Sequence, residues 1–377
     1  FILHDKKKAA FAQLVEAASG YSPPDPPVTR VQPPQENPNE FPPGAPLRFP
    51  RLDLPSKVDG SHQFAGDIRL PDMVHAAIRH APLGRTARLG SHDAARAPGV
   101  RLVEGPDWLA AVGESWWAAE QTLKRIAPRF AVSGHADSGR IAQALDQALL
   151  MGDANRIAEV GDPDAWLNDK FEHTGLYTIV PALHGGLETA SATARFENGR
   201  LELWVASQAP QACREAVARA LDLSLGDVTL FPMPAGGSFD ARLESDHAVE
   251  AAMIARAIGK PVQLTWSRWQ EHLAGRPRTP ARAVMAARTA QDGSLTALKL
   301  RIAMPATAQE FGARLFAGAS AREAMDRQDE GDALAMEGMV PPYRIEHLVV
   351  EHVPVGIGLP TGRLRGNSHG IGAFLVE

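Results

Sequence analysis

The chain has 377 residues, 44% of them hydrophobic, and a formal net charge of −5. That is enough apolar content for a buried core, and at roughly 150 residues per domain it predicts two or three domains. The scattered basic residues argue against a nucleic-acid or anionic-membrane surface, and no apolar run approaches the ~20 residues that cross a bilayer. The single cysteine, Cys213, excludes an internal disulfide framework and any cysteine-ligated zinc or iron–sulfur site. Its helical-looking context, "PQACREAVARALDL", marks it as a small buried hydrophobe. The chain opens without a methionine and stops in mid-pattern at "AFLVE", which predicts a piece of a longer protein. Any export signal would lie upstream.

In chain order, "AAFAQLVEAAS" (9–19) predicts a short amphipathic helix closed by Gly20. The next thirty residues carry eleven prolines, and proline fixes φ and removes a donor, so they form an extended connector. From Arg51 to about Ala131, strands are expected at "HQFAGDI", "MVHAAIRHA", "GVRLVEG" and "WLAAVGE", with a helix at "SWWAAEQTLKRIA". This mixture predicts a small α+β domain. Residues 132–168 read as helical or irregular.

The signals sharpen after Phe171. "ASATARFE" and "RLELWVAS" flank Asn198–Gly199, a strong hairpin signal, and "AVMAARTAQ" and "LTALKLRIA" flank Asp292–Gly293 in the same way. Between them come a helix at 210–222, a strand "DVTLFPM", a helix "HAVEAAMIARAIG" with its stop at Gly259–Lys260–Pro261, and a strand "PVQLTWS". Residues 306–338 read as helical, and "YRIEHLVVEHVPV" as a strand pair or one bent strand.

No HExxH, CxxC, Walker or GxSxG motif is present. "VGIGLPTG" imitates a dinucleotide fingerprint, but Pro360 interrupts it and no helix follows. The histidine pairs His75/His80 and His347/His352 lie five apart, a spacing that suits satisfied or surface histidines better than metal ligands. Four segments remain. "YTIVPALHGGLETA" sets His184 and Glu188 beside a glycine pair. In "ELWVASQAP", Gln208 stands between a strand end and a helix start, where an amide can donate to an oxo or phosphate oxygen. "PAGGSFDARLESD" places Gly236 and Gly237 before Ser238 and Phe239. "PTGRLRGNSHG" holds Arg363 and Arg365 among glycines, where arginine can clamp an anion. Singly, the last three read more readily as a capping or loop glutamine, a simple β-turn and a solvated loop.

Together, in this order and spacing, the four segments resemble the molybdopterin-binding large subunit of the molybdenum hydroxylases, the xanthine dehydrogenase and aldehyde oxidase superfamily. The nearest branch is the bacterial isoquinoline 1-oxidoreductase beta subunit and its membrane-associated aldehyde dehydrogenase relatives. "PRLDLPSKVDGSHQFAGDIRLPDMVHAAIRHAPLG" is similar to the start of that family's α/β-hammerhead domain. The match covers most of 1–270 and 338–377. The resemblance implies an α+β chain in three parts: a short helix and connector at 1–50, a hammerhead domain at 51–145, and an incomplete molybdenum-cofactor-binding domain at 146–377. It assigns Gln208 to an oxo ligand of molybdenum. Gly236, Gly237, Ser238 and Phe239 would form the loop that approaches the metal, with Arg365 and Gly366 in a second loop. No residue of this chain would ligate the metal, and the family's catalytic glutamate is expected beyond Glu377.

The implied cofactor is molybdopterin cytosine dinucleotide with molybdenum, and the implied reaction is hydroxylation of an N-heteroaromatic compound or oxidation of an aldehyde, with water as the oxygen source. The implied partners are a small subunit carrying [2Fe–2S] clusters, the remaining segments of the same large subunit, a c-type cytochrome as a further candidate, and a small-molecule substrate, but no nucleic acid. The expected location is periplasmic or membrane-associated, with the cytoplasm as the alternative. The family pattern has glycine where Ser238 and Asp240 stand, and proline where "HGGLET" ends in Thr189. Asp240 is expected to crowd and repel an anionic cofactor unless it turns outward. The competing expectation is a non-catalytic homologue, a scaffold or interaction subunit without metal.

Overall fold

A computed structural model describes residues 2–4, 7–9, 11–20, 22, 51–167, 171–366 and 368–377. The proline-rich connector lies outside these residues except for Ser22. The chain divides into two compact units, 1–61 and 62–377.

In the first unit β1 (Ile2–His4) and β2 (Lys7–Ala9) pair antiparallel, a hairpin the sequence did not announce. The expected helix follows as α1 (Phe11–Ser19). A short α2 (Leu54–Asp59) has proline in its first turn and ends at Gly60, whose φ is +79°.

The second unit runs β3 (Val74–His80), β4 (Gly84–Ser91), β5 (Arg101–Glu104), β6 (Trp108–Gly113), α3 (Trp116–Ile126), β7 (Arg129–His135), α4 (Ser138–Met151), β8 (Asn155–Val160) and α5 (Pro163–Trp166). There follow β9 (His173–Ile179), β10 (Ser191–Glu197), β11 (Arg200–Val205), α6 (Pro210–Leu221), β12 (Val228–Pro232), α7 (Asp246–Ile258), β13 (Val262–Thr265) and α8 (Arg268–Ala274). The last elements are β14 (Ala281–Thr289), β15 (Leu295–Met304), α9 (Thr307–Leu315), α10 (Ala321–Met325), β16 (His347–Pro354) and α11 (His369–Val376). The α+β class is as expected. The strand expected at "HQFAGDI" is instead a 3₁₀ turn, Ala65–Asp67, because the Asp67 carboxylate accepts from the Phe64 amide at 2.9 Å and curls the chain. The 132–168 stretch resolves into the end of β7, then α4, β8 and α5. "YRIEHLVVEHVPV" yields one strand, β16.

A seven-stranded sheet has the order β12-β11-β10-β13-β3-β6-β5. It draws strands from both sides of residue 145, with β3 parallel to β13 in the register Val74↔Val262. Along β11 the period-two pattern buries Leu201, Leu203 and Val205 on one face. Val217 and Leu221 of α6 and Ala251, Ile254 and Ala255 of α7 join the same buried core. Each such leucine or isoleucine stabilises the fold by about 1.5–3 kcal/mol through burial. A five-stranded sheet, β8-β16-β15-β14-β9, shares one core with Ile371 and Leu375 of α11 and another with Leu145 and Leu149 of α4.

The two hairpin signals turn out differently. Asn198 and Gly199 both have positive φ, +51° and +78°, and join Glu197 directly to Arg200 in a two-residue turn. At Asp292–Gly293 only the glycine does, +83°, and the loop is longer: Gly293 N–H donates to Ala290 O, and the ladder shifts register at Arg288/Thr289. Aspartate prefers to accept from the chain, and here its carboxylate takes the Ser294 amide at 2.9 Å.

Candidate functional site

The site is built where β11 ends, where β12 gives way to the 233–245 segment, and where the chain passes through 361–366. Strand β11 ends by releasing Ser207 and Gln208 ahead of α6, which starts on Pro210. The Gln208 amide N–H donates to Arg242 O at 2.9 Å, which fixes the backbone. Its side chain is gripped at both ends: Ser238 Oγ donates to Oε1, and Nε2 donates to Asp240 Oδ1 at 3.0 Å. The carboxylate can only accept, so the amide cannot flip, and one Nε2 hydrogen remains uncommitted.

The glycine pair serves a backbone crossing. A Cβ on Gly236 would lie 2.5 Å from Cβ of Glu188, and one on Gly237, whose φ is +111°, would lie 2.9 Å from Cα of Gly186. Two glycine-containing segments, 185–188 and 236–237, therefore cross with no side chain between them. Glu188 fastens the crossing, accepting from the Gly236 amide at 2.8 Å and from the Gly66 amide at 2.9 Å. Arg242, 5% exposed, donates to Glu188 O and pairs with Glu271, which also holds Arg268 at 2.6 Å. Arg268 reaches back to Gly186 O at 2.6 Å.

Beyond the crossing the backbone is strained. Phe239 has φ +52° and Asp240 +77°, a left-handed pair without glycine. For a bulky residue this costs of order 1–2 kcal/mol, and it persists because Ala241 N–H donates to Ser238 O at 2.9 Å and Arg365 N–H donates to Phe239 O at 3.1 Å. The second bond ties the two expected loops together. Phe239 is left 40% exposed. Among the described residues the amides of Gly237, Ser238 and Phe239 and the Arg365 guanidinium have no hydrogen-bond partner. Gly366 has φ +84° and lies exposed beside Arg365.

Asp240 does not turn outward, as the sequence had suggested it must to avoid crowding a cofactor. It turns to Gln208 and to Arg363, whose Nε is 3.6 Å from Oδ2. A partly exposed pair of this kind contributes about 0–1 kcal/mol, so its effect is to place and neutralise the carboxylate. His184 donates from Nε2 to Arg363 O at 2.6 Å, which adds the 181–190 segment to the same cluster.

The remaining histidines divide sharply. His347 stacks on Trp166 and accepts from the Asp162 amide, and His352 is buried with Nε2 donating to Met304 O. His80 is buried in a network. Its backbone N–H and Nδ1 both meet Gln270 Oε1, at 2.8 and 3.0 Å, so Nδ1 is the donor. Its Nε2 is 2.8 Å from Glu250 Oε1, and Trp266 Nε1 donates to Glu250 Oε2 at 2.8 Å. Burial works against charge on His80, but the Glu250 charge and hydrogen bond outweigh it and raise the imidazole's pKa. Cys213 is buried as expected, and burial pushes its thiol up to about 12. Sequence reasoning passed over Arg242, Glu271 and His247, and nothing in their local sequence distinguishes them from ordinary helix-flanking residues.

Residues 151–322 match the model of the molybdopterin cofactor-binding domain. The chain is 25% identical over 317 residues to one chain of the nicotinate dehydrogenase of Pseudomonas putida, covering 80% of this chain and 26% of that protein. It is 29% identical over 289 residues to the isoquinoline 1-oxidoreductase beta subunit of Brevundimonas diminuta, covering 71% of this chain and 36% of that one. In fold it is similar to the aldehyde oxidoreductase from Desulfovibrio gigas, with a TM-score of 0.65 at 15% identity over 87% of this chain and 40% of that structure. The match to the cofactor-binding domain thus covers a little under half of the chain, and the rest of the likeness is to the proteins just named. It spans about a quarter to a third of the length of the two curated relatives.

The residues present fit an anionic oxo-metal group. Gln208 keeps one donor, three consecutive amides next to it are unpaired, and Arg365 is exposed on the adjoining loop.

Proposed function

We propose that this chain forms one wall of the molybdenum site in a hydroxylase that oxidises an N-heteroaromatic compound or an aldehyde with water as oxygen source. The observation that supports this reading is the convergence of Gln208, the 236–240 turn and the 363–366 loop, joined by the bonds from Gln208 to Ser238 and Asp240 and from Arg365 to Phe239. Molybdenum, held by molybdopterin cytosine dinucleotide, supplies two-electron oxidation when bound, and a partner with [2Fe–2S] clusters carries the electrons away. Gln208 would present its free N–H to an oxo oxygen, with Ser238 and Asp240 holding the amide plane. The amides of 237–239 and the Arg365 guanidinium would offset negative charge. Phe239, forced outward by its left-handed backbone, would present its ring as an apolar wall that excludes water.

The test is metal analysis of the complete protein carrying this chain, purified with its remaining segments. About one equivalent of molybdenum is expected, and Gln208→Ala is expected to lower kcat while lowering the melting temperature by only a few degrees, the scale of its two lost side-chain hydrogen bonds. Less than about a tenth of an equivalent, judged against the tight stoichiometry of a resident metal, defeats the reading in favour of a metal-free scaffold.

A further inference from the structure

A cavity of about 430 Å3 opens between the end of β3, the start of β6, one side of α7 and the start of α10. That lies within the range of small-molecule sites, about 300–1,000 Å3. Its walls include none of the residues assigned to molybdenum.

The walls carry charge, but in closed pairs. Asp107 holds Arg322 at 2.9 Å, and Asp246 holds Arg276 at 3.1 Å. Glu250 is taken by His80 and by the Trp266 indole, each at 2.8 Å. Every ionisable group on the wall thus faces its opposite, and no charge is left over to select a counter-ion. Between the pairs the lining is apolar, built from Pro82, Leu83, Pro106, Val249, Met253 and Ala321.

One donor is left over. Trp108 lines the cavity and is 4% exposed. Its indole lies against Gly105, where a Cβ would stand 2.1 Å from Cε2 of the ring, so glycine is required there to seat it. The Trp108 Nε1–H has no partner among the described residues, yet it is not one of the unpaired nitrogens closed off from solvent. Buried indoles ordinarily find an acceptor, as Trp266 does in Glu250. An indole N–H can only donate. The open capacity of this wall is therefore a single acceptor, set in apolar surroundings with no free charge.

We propose that this cavity binds a small uncharged apolar molecule with one hydrogen-bond acceptor, such as a ketone, its oxygen received by Trp108 Nε1–H. The inference rests on the cavity alone and does not depend on the molybdenum reading, so the two fail separately.

The experiment titrates the complete protein, tryptophan-labelled with 15N and prepared without molybdenum, with acetophenone and with α-methylstyrene. The second probe has the same shape but carries CH2 in place of the carbonyl oxygen. Calorimetry reads binding and NMR reads the Trp108 indole signal. Saturable acetophenone binding that shifts this signal is expected, weakened on the order of five-fold in Trp108→Phe, the scale of one neutral hydrogen bond. α-Methylstyrene is expected to bind more weakly by a similar factor. Ala321→Phe fills the cavity from α10 and leaves Trp108 in place. It is expected to abolish binding, and it keeps the test decisive where Trp108→Phe fails to fold. No saturable binding, an unmoved Trp108 signal, equal affinity for the two probes, or unchanged binding in Ala321→Phe would each overturn the proposal.

Discussion

His80 and His247 flank the same indole, their ring centroids 4.5 and 6.3 Å from that of Trp266. Both are buried, at 9% and 4% exposure. His80 spends both ring nitrogens, on Gln270 and Glu250, and its partners are themselves bonded, so its surroundings describe a finished structural network. His247 Nε2 meets no partner among the described residues, although the side chain lines a cleft. Burial alone does not separate a histidine with both ring nitrogens bonded from one with a ring nitrogen left over. The state of the ring nitrogens does, because a buried polar atom left unpaired lowers stability unless something else meets it.

The contrast can be broken from the His80 side first. Glu250→Ala leaves a buried imidazole and an indole N–H without their acceptor, and a loss of about 3–5 kcal/mol is expected in urea unfolding. A loss under about 1 kcal/mol, the ordinary surface scale, would show that the network is not the finished unit described. Trp266→Phe keeps the ring packing but withdraws one hydrogen bond from Glu250, for which about 1.5–3 kcal/mol is expected by the same measurement.

The smallest effect sharpens the His247 side, and its sign follows from proton counting. The folded chain binds a proton at His247 only near pH 3, the unfolded chain near pH 6.5. Between these values the unfolded state holds more protons, so stability increases with pH across the window and is lost as pH falls. Going from pH 5.5 to 4.5, His247→Gln is expected to lose about 1.4 kcal/mol less than the parent chain. Parallel losses in the two proteins would mean that His247 already has a partner.

How much of this was legible beforehand follows the range of the interactions. The Asn198–Gly199 hairpin and the α7 boundary at Gly259 obey rules that act within a few residues, and both stand where the sequence put them. Strands β4 and β7 went unread because they pair only with each other, and their runs lack clean alternation. At the site, local pattern and family resemblance picked out Gln208, Phe239 and Arg365. They could not show that the glycines of 236–237 answer to Gly186 and Glu188, some fifty positions earlier. Nor could they show that Asp240, expected to oppose an anion, would be turned onto Gln208 and Arg363. Each of these is a contact between distant segments, which composition and spacing do not encode.

The placement of β3 has a consequence for synthesis. This strand lies between β6 and β13, and its partner in β13 begins at Val262, long after Val74 has left the ribosome. Until then β3 can bind only its β6 side, and its other edge stands open as a template for foreign strands. A nascent chain ending near residue 145 would therefore carry an unsealed sheet.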